Sequence, residues 1–440
     1  MPIILTFILS LALATSDPFS EGVAALADKD APAAIVSFEK CISATPSRVA
    51  CHWELGWAHY LLNDWAAVVS SWEQVLALDP KHAEVQDWLA DARAEHAAAT
   101  ARAQDNLKAP TVARPLPPEG ATVRIRAVGD VMLGTTFPRG YLPPDDGRHL
   151  LDEVRETLAD ADLTFINLEG PLCDDGKTQK CKPGSHCYAF RTPTRYGAYL
   201  KDAGVDLASV ANNHSNDFGA HCRQKTTQTL DALGIRWSGD PGTVATAQHG
   251  SLLVGMVAFY THPRTNNLLD IEASVALIKQ VSAKHDITVV SFHGGAEGKK
   301  AIHVPHGMEK YYGEKRGELR RFSHAVIDAG ADLVLGHGPH VLRGMEIYNG
   351  RLIAYSLGNF ATYGRFSLGG PLGVGAILDV TLDNQGQFHT GEILSTVQRG
   401  KGVPALDPTG QAAAIVRQLS ESDFPNTGVI ISNTGRIAHP

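Results

Sequence analysis

Ten residues combine a metal-competent or hydrogen-bonding side chain with one kind of position. Asp130, Asn167, Glu169, Asn213, His214, His262, His293, His337, His340 and Asn359 each stand at or just beyond the end of an apolar run. The runs read VRIRAVGDVMLG, LTFINLEG, VDLASVANNH, LLVGMVAFYTH, ITVVSFHGG, LVLGHGPH and LIAYSLGNF. In open α/β sheets, ligands sit outside the carboxyl ends of the strands. Runs sharing one sheet would bring these ends together. A cluster of Asp, Glu, Asn and His is what a divalent-metal hydrolytic site needs.

Each string has a chemical reading and a plainer one. Asp130, ahead of a Gly-bounded turn, suits a metal ligand, but Asp also caps turns. Glu169 comes out of an apolar strand beside Asn167. A buried carboxylate is costly unless it meets a metal or an Arg, and both remain open. ANNHSNDFG is the most specific string, because Asn212, Asn213 and His214 cannot all be core residues after VDLASV. The Asn213 amide oxygen can bind a hard metal, and His214 can donate a proton or steady an oxyanion. Asp217 can hold that imidazole in one tautomer. The plainer reading is a polar turn with an Asx cap. His293 is flanked by Gly294 and Gly295, which allow close backbone approach to a ligand, and Glu297 follows within reach.

His337 and His340 complete the set. A single His on an apolar strand is usually structural. Three at the ends of two strands, with Asn, Asp and Glu at others, point to a metal. Asn167, Glu297, Asn359 and Arg191 are candidate substrate contacts, and Arg343 and Lys299 are further cations that could meet an anion. His303 and His306 read as exposed loop residues. The chain has no G-x-S-x-G elbow, no G-x-x-x-x-G-K-[ST] loop and no H-E-x-x-H helix.

Strands and helices that could position this set alternate over residues 122–395. Helical patterns such as HLLDEVRETLADA, CRQKTTQTLDALG, EASVALIKQVSAKH and EKRGELRRFSHAVIDAG separate the runs. The runs are near-continuously apolar, as strands buried on both faces are. Gly204, Gly234 and Gly330 follow their helices as C-caps. LIAYSLGNF and VGAILDVTL follow each other without a helix, which suggests a second sheet and a layered sandwich. Residues 396–440 add one helix and one strand as an appendage of the same domain.

Residues 15–100 are helical and repetitive. Gly22 and Gly56, Phe38 and Trp72, and Pro46 and Pro80 are all 34 residues apart. With Leu55, Gly56 and Tyr60, this spacing resembles the tetratricopeptide pattern, with AEVQDWLADARAEH as a closing helix. Such units bind proteins or peptides. A small helical module that only packs on its neighbour is the alternative. Residues 101–121, with four prolines, read as an extended linker.

Residues 3–14 are apolar but short for a membrane span, and Ala12-Leu13-Ala14 is an A-x-A site. A signal peptide over 1–14 is expected, giving an extracytoplasmic protein that is soluble or peripheral to a membrane. Six cysteines agree with export. Cys41 and Cys51 fall on neighbouring helices, where they either bridge or remain buried thiols. Cys173, Cys181, Cys187 and Cys222 allow three pairings; their C-x7-C-x5-C spacing favours disulfides over zinc. The composition, 44% hydrophobic and 20% charged, is that of a globular protein. A net charge of −8 argues against a general nucleic-acid binder.

Taken together, GDVMLG, NLEGPL, ANNHSNDFG, FHGGAEG, GADLVLGHGPHVLRG and YSLGNF resemble the CapA family of poly-γ-glutamate capsule synthesis proteins over residues 122–395. That resemblance implies the calcineurin-like metallophosphoesterase fold, a four-layer αββα sandwich with one or two Mn, Fe or Zn ions. It also implies an envelope protein linked to an anionic polymer. By this resemblance Asp130, Glu169, Asn213, His293 and His340 match metal ligands, Glu169 in the bridging place, and His214 the catalytic imidazole. Two departures stand out. Met132 replaces the His of the Asp-x-His motif, and His337 and His340 are three apart rather than two. One metal would then be held by fewer ligands or be absent. The functions left open are a hydrolase or transferase on an anionic polymer, a non-catalytic polymer-binding scaffold, and a peptidase or amidase.

Overall fold

The computed structural model describes residues 17–107 and 117–440, except 29, 63, 179 and 181–187. The expected signal peptide, Cys181 and Cys187 lie outside the described residues. The chain forms two units, Met1–Lys108 and Ala109–Pro440.

The first unit contains helices α1 (Pro18–Ala27), α2 (Ala31–Ala44), α3 (Val49–Leu61), α4 (Trp65–Leu78) and α5 (Ala83–Leu107). Positions 34 residues apart play the same part in each pair. Asp30 and Asp64 cap α2 and α4 through side-chain oxygens 3.1 Å from Ala33 N and Ala67 N. A Cβ on Gly22 would strike the Phe38 ring, and one on Gly56 the Trp72 indole. Each pair therefore needs a residue without a side chain where the second helix lays its ring. Cys41 and Cys51 are bonded, joining α2 to α3. Val85, Leu89 and Ala92 of α5 close the core around Trp65 and Trp72. Helix α5 continues through residues 101–107, which the sequence reading assigned to a linker. This stretch lacks Gly, and the first proline is Pro110, so nothing stops an Ala-rich helix there.

The second unit carries, in chain order, β1 (Thr122–Met132), α6 (Asp152–Ala159), β2 (Leu163–Leu168), α7 (Gly197–Asp202), β3 (Leu207–Ser209), α8 (Gly219–Ala232) and β4 (Arg236–Ser238). Next come β5 (Ala245–His249), β6 (Leu252–Tyr260), β7 (Asn266–Asn267), α9 (Ile271–Ser282), β8 (Ile287–His293), β9 (Glu309–Tyr311), β10 (Glu314–Gly317), α10 (Leu319–Asp328) and β11 (Leu333–His337). The chain ends with β12 (Met345–Tyr348), β13 (Arg351–Ala354), β14 (Asn359–Thr362), β15 (Val374–Asp383), β16 (Phe388–Arg399), β17 (Val403–Leu406), α11 (Gln411–Asp423), β18 (Ile430–Ile431) and β19 (Arg436–Ala438).

Two sheets form. The first has the order β18-β19-β16-β15-β1-β2-β3-β4, with β14 on β1 and β17 on β16; the second has β12-β13-β11-β8-β6-β5, with β7 on β6. The strand-end residues are thus divided between two sheets rather than gathered on one. Alternating residues explain the layering. Val123, Ile125 and Ala127 share one core with Ile287, Val289, Leu333 and Leu335 between the sheets. Val128, Ile166 and Leu168 face outward to Val154, Leu158, Leu200 and Leu230 of α6, α7 and α8. Val290, Phe292 and Val334 face outward to Ile278, Val281, Phe322 and Val326 of α9 and α10. The result is a four-layer αββα sandwich.

Three sequence assignments change. LIAYSLGNF breaks into β13 in the second sheet and β14 in the first. Residues 314–317, assigned to a helix, pair with β9 as a hairpin, and the helix begins at Leu319. The 396–440 region is no appendage: β18 and β19 extend the first sheet, and Ala412, Val416 and Ile437 enter the core between the sheets. Among the described residues no helix is long and apolar enough to cross a membrane.

Candidate metal centre

The parallel strands of both sheets end in register. Asp130 pairs with Asn167 of β2 on one side and Asn359 of β14 on the other. His293 of β8 pairs with His337 of β11 and with Tyr260 of β6. The ladder around Asp130 is irregular, because Asp130 N donates to Gly358 O at 2.9 Å. A Cβ on Gly129 would collide with that carbonyl, so glycine is required before the aspartate. His340 takes a left-handed φ of 60°, just past Gly338 at φ 112°. This turn swings the imidazole back over the strand ends.

Asp130, Glu169 and His340 are close enough to share an ion. Asp130 Oδ2 is 2.8 Å from His340 Nδ1, and Oδ1 is 3.5 Å from His337 Nδ1. Glu169 lies between the sheets, with Oε1 3.7 Å from His340 Nε2, 3.8 Å from His293 Nε2 and 4.0 Å from His214 Nε2. Asp130, Glu169 and His337 are fully buried. Yet among the described residues both Glu169 oxygens, both His337 nitrogens, His293 Nε2, Asn213 Oδ1 and Asn359 Oδ1 have no hydrogen-bond partner. Buried polar atoms are nearly always satisfied, so a concentration of orphans at one point needs a cause. Their chemistry, imidazole nitrogen with carboxylate and amide oxygen, suits a borderline or hard divalent cation.

The charges are arranged unevenly. Burial works to raise the Asp130 carboxyl, but the neighbouring His337 and His340 imidazoles hold it far below the usual carboxylate range. Burial pushes Glu169 well up, against the pull of His340 and with help from Asp130. His340 is raised to about 9, because Glu169 and Asp130 outweigh its own burial. Burial drives His293 well down.

His214 flanks Glu169 on the side of the β3–α8 loop. Its Nδ1 lies 2.7 Å from Asp217 Oδ2, and Phe190 N donates to that same oxygen at 2.7 Å. Asn212 accepts from His214 N at 3.1 Å and donates to Leu168 O at 2.8 Å, which locks the loop to β2. Burial lowers His214 to about 4, against the pull of Asp217. With Nδ1 on Asp217, the ring turns Nε2 toward Glu169, 4.0 Å away.

Several assignments shift. Asn167 Nδ2 is 2.8 Å from Asp130 Oδ1 and 3.2 Å from His293 Nδ1, so this residue holds other site residues instead of facing a substrate. Glu297 does reach the centre, with Oε2 3.9 Å from His340 Nε2. Asn359 donates to Leu372 O at 3.0 Å and leaves its oxygen free beside Asp130. Arg191 is not brought to the centre. Its donors go to Thr136 and the Gly176 carbonyl, and it packs over Phe218. Arg343 is fully buried on Glu309 and the Ala301 carbonyl. Lys180 and Arg316 were missed. Lys180 Nζ lies 2.7 Å from Asp217 Oδ1, and Arg316 binds Glu297 and Tyr260. Neither stands at the end of an apolar run, so no local signal marked them. Met132 is buried, and its sulfur accepts from Gly134 N at 3.3 Å.

Residues 124–363 match the family described as bacterial capsule synthesis protein PGA_cap. The chain belongs to this family. It is 27% identical over 250 residues to the PGA biosynthesis protein CapA of Bacillus subtilis, covering 53% of this chain and 61% of that one. It is 30% identical over 238 residues to a probable polyglutamine synthesis accessory protein of Mycobacterium tuberculosis, covering 50% and 61%. An uncharacterized protein of Sinorhizobium fredii is 27% identical over 379 residues, 70% of this chain and 78% of that one. The chain thus spans about 61% of the length of the Bacillus subtilis CapA protein it matches. A purple acid phosphatase from yellow lupin seeds aligns over 67% of this chain and 55% of its own, with a TM-score of 0.35 and 10% identity.

Proposed function

We propose that the second unit is a metal-dependent hydrolase of the bacterial envelope, with an anionic cell-surface polymer as its substrate class. The observation that carries this reading is the convergence of unpartnered buried donor atoms from both sheets. Each such atom costs the fold about 1–3 kcal/mol if left unmade. Asp130, His337 and His340 with Glu169 would hold one Mn, Fe or Zn ion, and Glu169, Asn213 and His293 a second. When bound, such a group supplies Lewis acidity toward a phosphoryl or acyl oxygen.

The chain's own residues do the rest. Asp217 fixes the His214 ring, and Lys180 holds Asp217. His214 moves a proton at Nε2. The Phe190 ring, 4.2 Å from His214, covers one face of the imidazole against water. The family and the names of the relatives support the polymer assignment. The Cys41–Cys51 and Cys173–Cys222 bonds support an oxidising, extracytoplasmic compartment. The helical repeats are a candidate dock for a protein partner.

A second reading, a non-catalytic polymer-binding subunit, is favoured by one observation: Met132 fills the place where a further histidine ligand is expected. Bound metal and turnover separate the two. Protein purified from an oxidising compartment is expected to hold about two equivalents of metal, the two-metal case. Glu169→Ala should lose it, and His214→Ala should keep it but lose turnover. Intact turnover in His214→Ala, or a metal-free native protein, would overturn the hydrolase reading.

A further inference from the structure

Arginines in and around the centre have partners: Arg316 has Glu297 and Arg343 has Glu309. Arg365 does not. It follows β14 by three residues, and its neighbour Phe366 packs 5.3 Å from the His340 ring and 5.2 Å from Phe190. The Arg365 guanidinium carbon lies 5.1 Å from the Tyr141 ring centroid and 5.0 Å from that of Tyr188. Its Nε is buried and has no hydrogen-bond partner among the described residues. Among the described residues no carboxylate is in ion-pair range of it, and residues 181–187, next to Tyr188, contain no Asp or Glu.

Two aromatic faces attract a planar cation and keep it from swinging away. They satisfy its charge in part but none of its N–H donors. A guanidinium presents its donors as a fork that matches a planar carboxylate or a phosphate. The adjoining Phe366 places this fork at the edge of the centre, one residue from the ring that covers His340.

We infer that Arg365, walled by Tyr141 and Tyr188, is a subsite for an anionic group on the substrate segment beside the reacting one. It sets specificity and touches no reacting atom. The inference rests on the centre's acting on an anionic polymer, and names the residue that reads the charge.

The test is a binding titration of the full, metal-replete chain with two oligomers of equal length: γ-linked glutamate, and the uncharged glutamine counterpart. Wild type, Arg365→Ala and Arg365→Lys are compared, with bound metal as the check on folding. Wild type should favour the acidic oligomer by about 10- to 100-fold, the worth of a hydrogen bond to a charged group. Arg365→Ala should bring the ratio close to one, and Arg365→Lys should keep part of it, since the charge stays and the fork is lost. Full wild-type selectivity in Arg365→Ala would overturn the inference. If wild type binds neither oligomer, the polymer reading fails by itself. Inorganic phosphate with chelator-treated protein then decides the subsite: weaker binding in Arg365→Ala upholds it, and equal binding refutes it.

Discussion

Both ends of the sheets' parallel strands carry acidic residues, with opposite fates. At the amino ends, Asp162, Asp206, Asp286 and Asp332 each stand one residue before β2, β3, β8 and β11. Each accepts a backbone N–H from the neighbouring strand: Arg124 N at 2.8 Å, Thr164 N at 2.9 Å, Leu253 N at 2.7 Å and Thr288 N at 2.8 Å. Arg124 and Arg126 of β1 are bound there by Asp379 and Asp160. At the carboxyl ends, Asp130 and Glu169 meet histidines, and several of the surrounding buried donor and acceptor atoms have no partner among the described residues. The presence of an acid does not tell the ends apart. Hydrogen-bond satisfaction does: a completed network holds strands in place, and an incomplete one at the strand ends awaits a ligand.

The largest contrast is expected between Arg126→Ala and Glu169→Gln. Arg126 is buried, and its removal leaves Asp379 with Arg124 alone and the Thr157 carbonyl without its donor, so about 3 kcal/mol of stability should be lost, the low end for a broken buried pair. Glu169→Gln should lose bound metal, while the chelated protein is no less stable than wild type, because a desolvated carboxylate has gone. Denaturant melts of chelated samples, with metal analysis alongside, measure both. Loss of stability in Glu169→Gln without loss of metal would erase the distinction between the ends.

A smaller effect is expected from Asp332→Ala, which strands Thr288 N and frees Arg351 from its 3.0 Å ion pair. The cost should be about 1–3 kcal/mol with full metal content. Reduced metal in this variant would mean that the strand bases reach the centre.

The smallest effect is a slope. Burial holds the Asp332 carboxyl up at about 6, above its ordinary 3.8. The folded state therefore binds the proton more tightly, and stability falls as pH rises from about 4 to about 6. Asp332→Asn should flatten that part of the profile. A steeper slope in the variant would reverse the sign of the Asp332 contribution.

Much of this was legible in the chain. Continuous apolar runs marked β1, β2, β6, β8 and β11, because strands buried on both faces leave no polar alternation to misread. Polar residues directly after such runs marked Asp130, Glu169, Asn213, His214, His293 and His340, because apolar strands rarely end on several of them by chance. The repeated Asp before a strand, as in ADL, VDL and HDI, is equally visible in the chain. Its role depends on which strand lies alongside.

The sequence by itself determined the elements, the 34-residue recurrence in the first unit and the candidates at the strand ends. These are properties of local pattern and spacing. Tertiary structure alone decided that the runs divide between two sheets, that LIAYSLGNF serves both, and that Glu169 faces His214, His293 and His340 at once. It also decided which cations have partners: among the described residues Arg191 and Arg343 are held by hydrogen bonds, and Arg365 packs between two rings. Such pairings join residues far apart in the chain, and no local signal records what a side chain will meet across the fold.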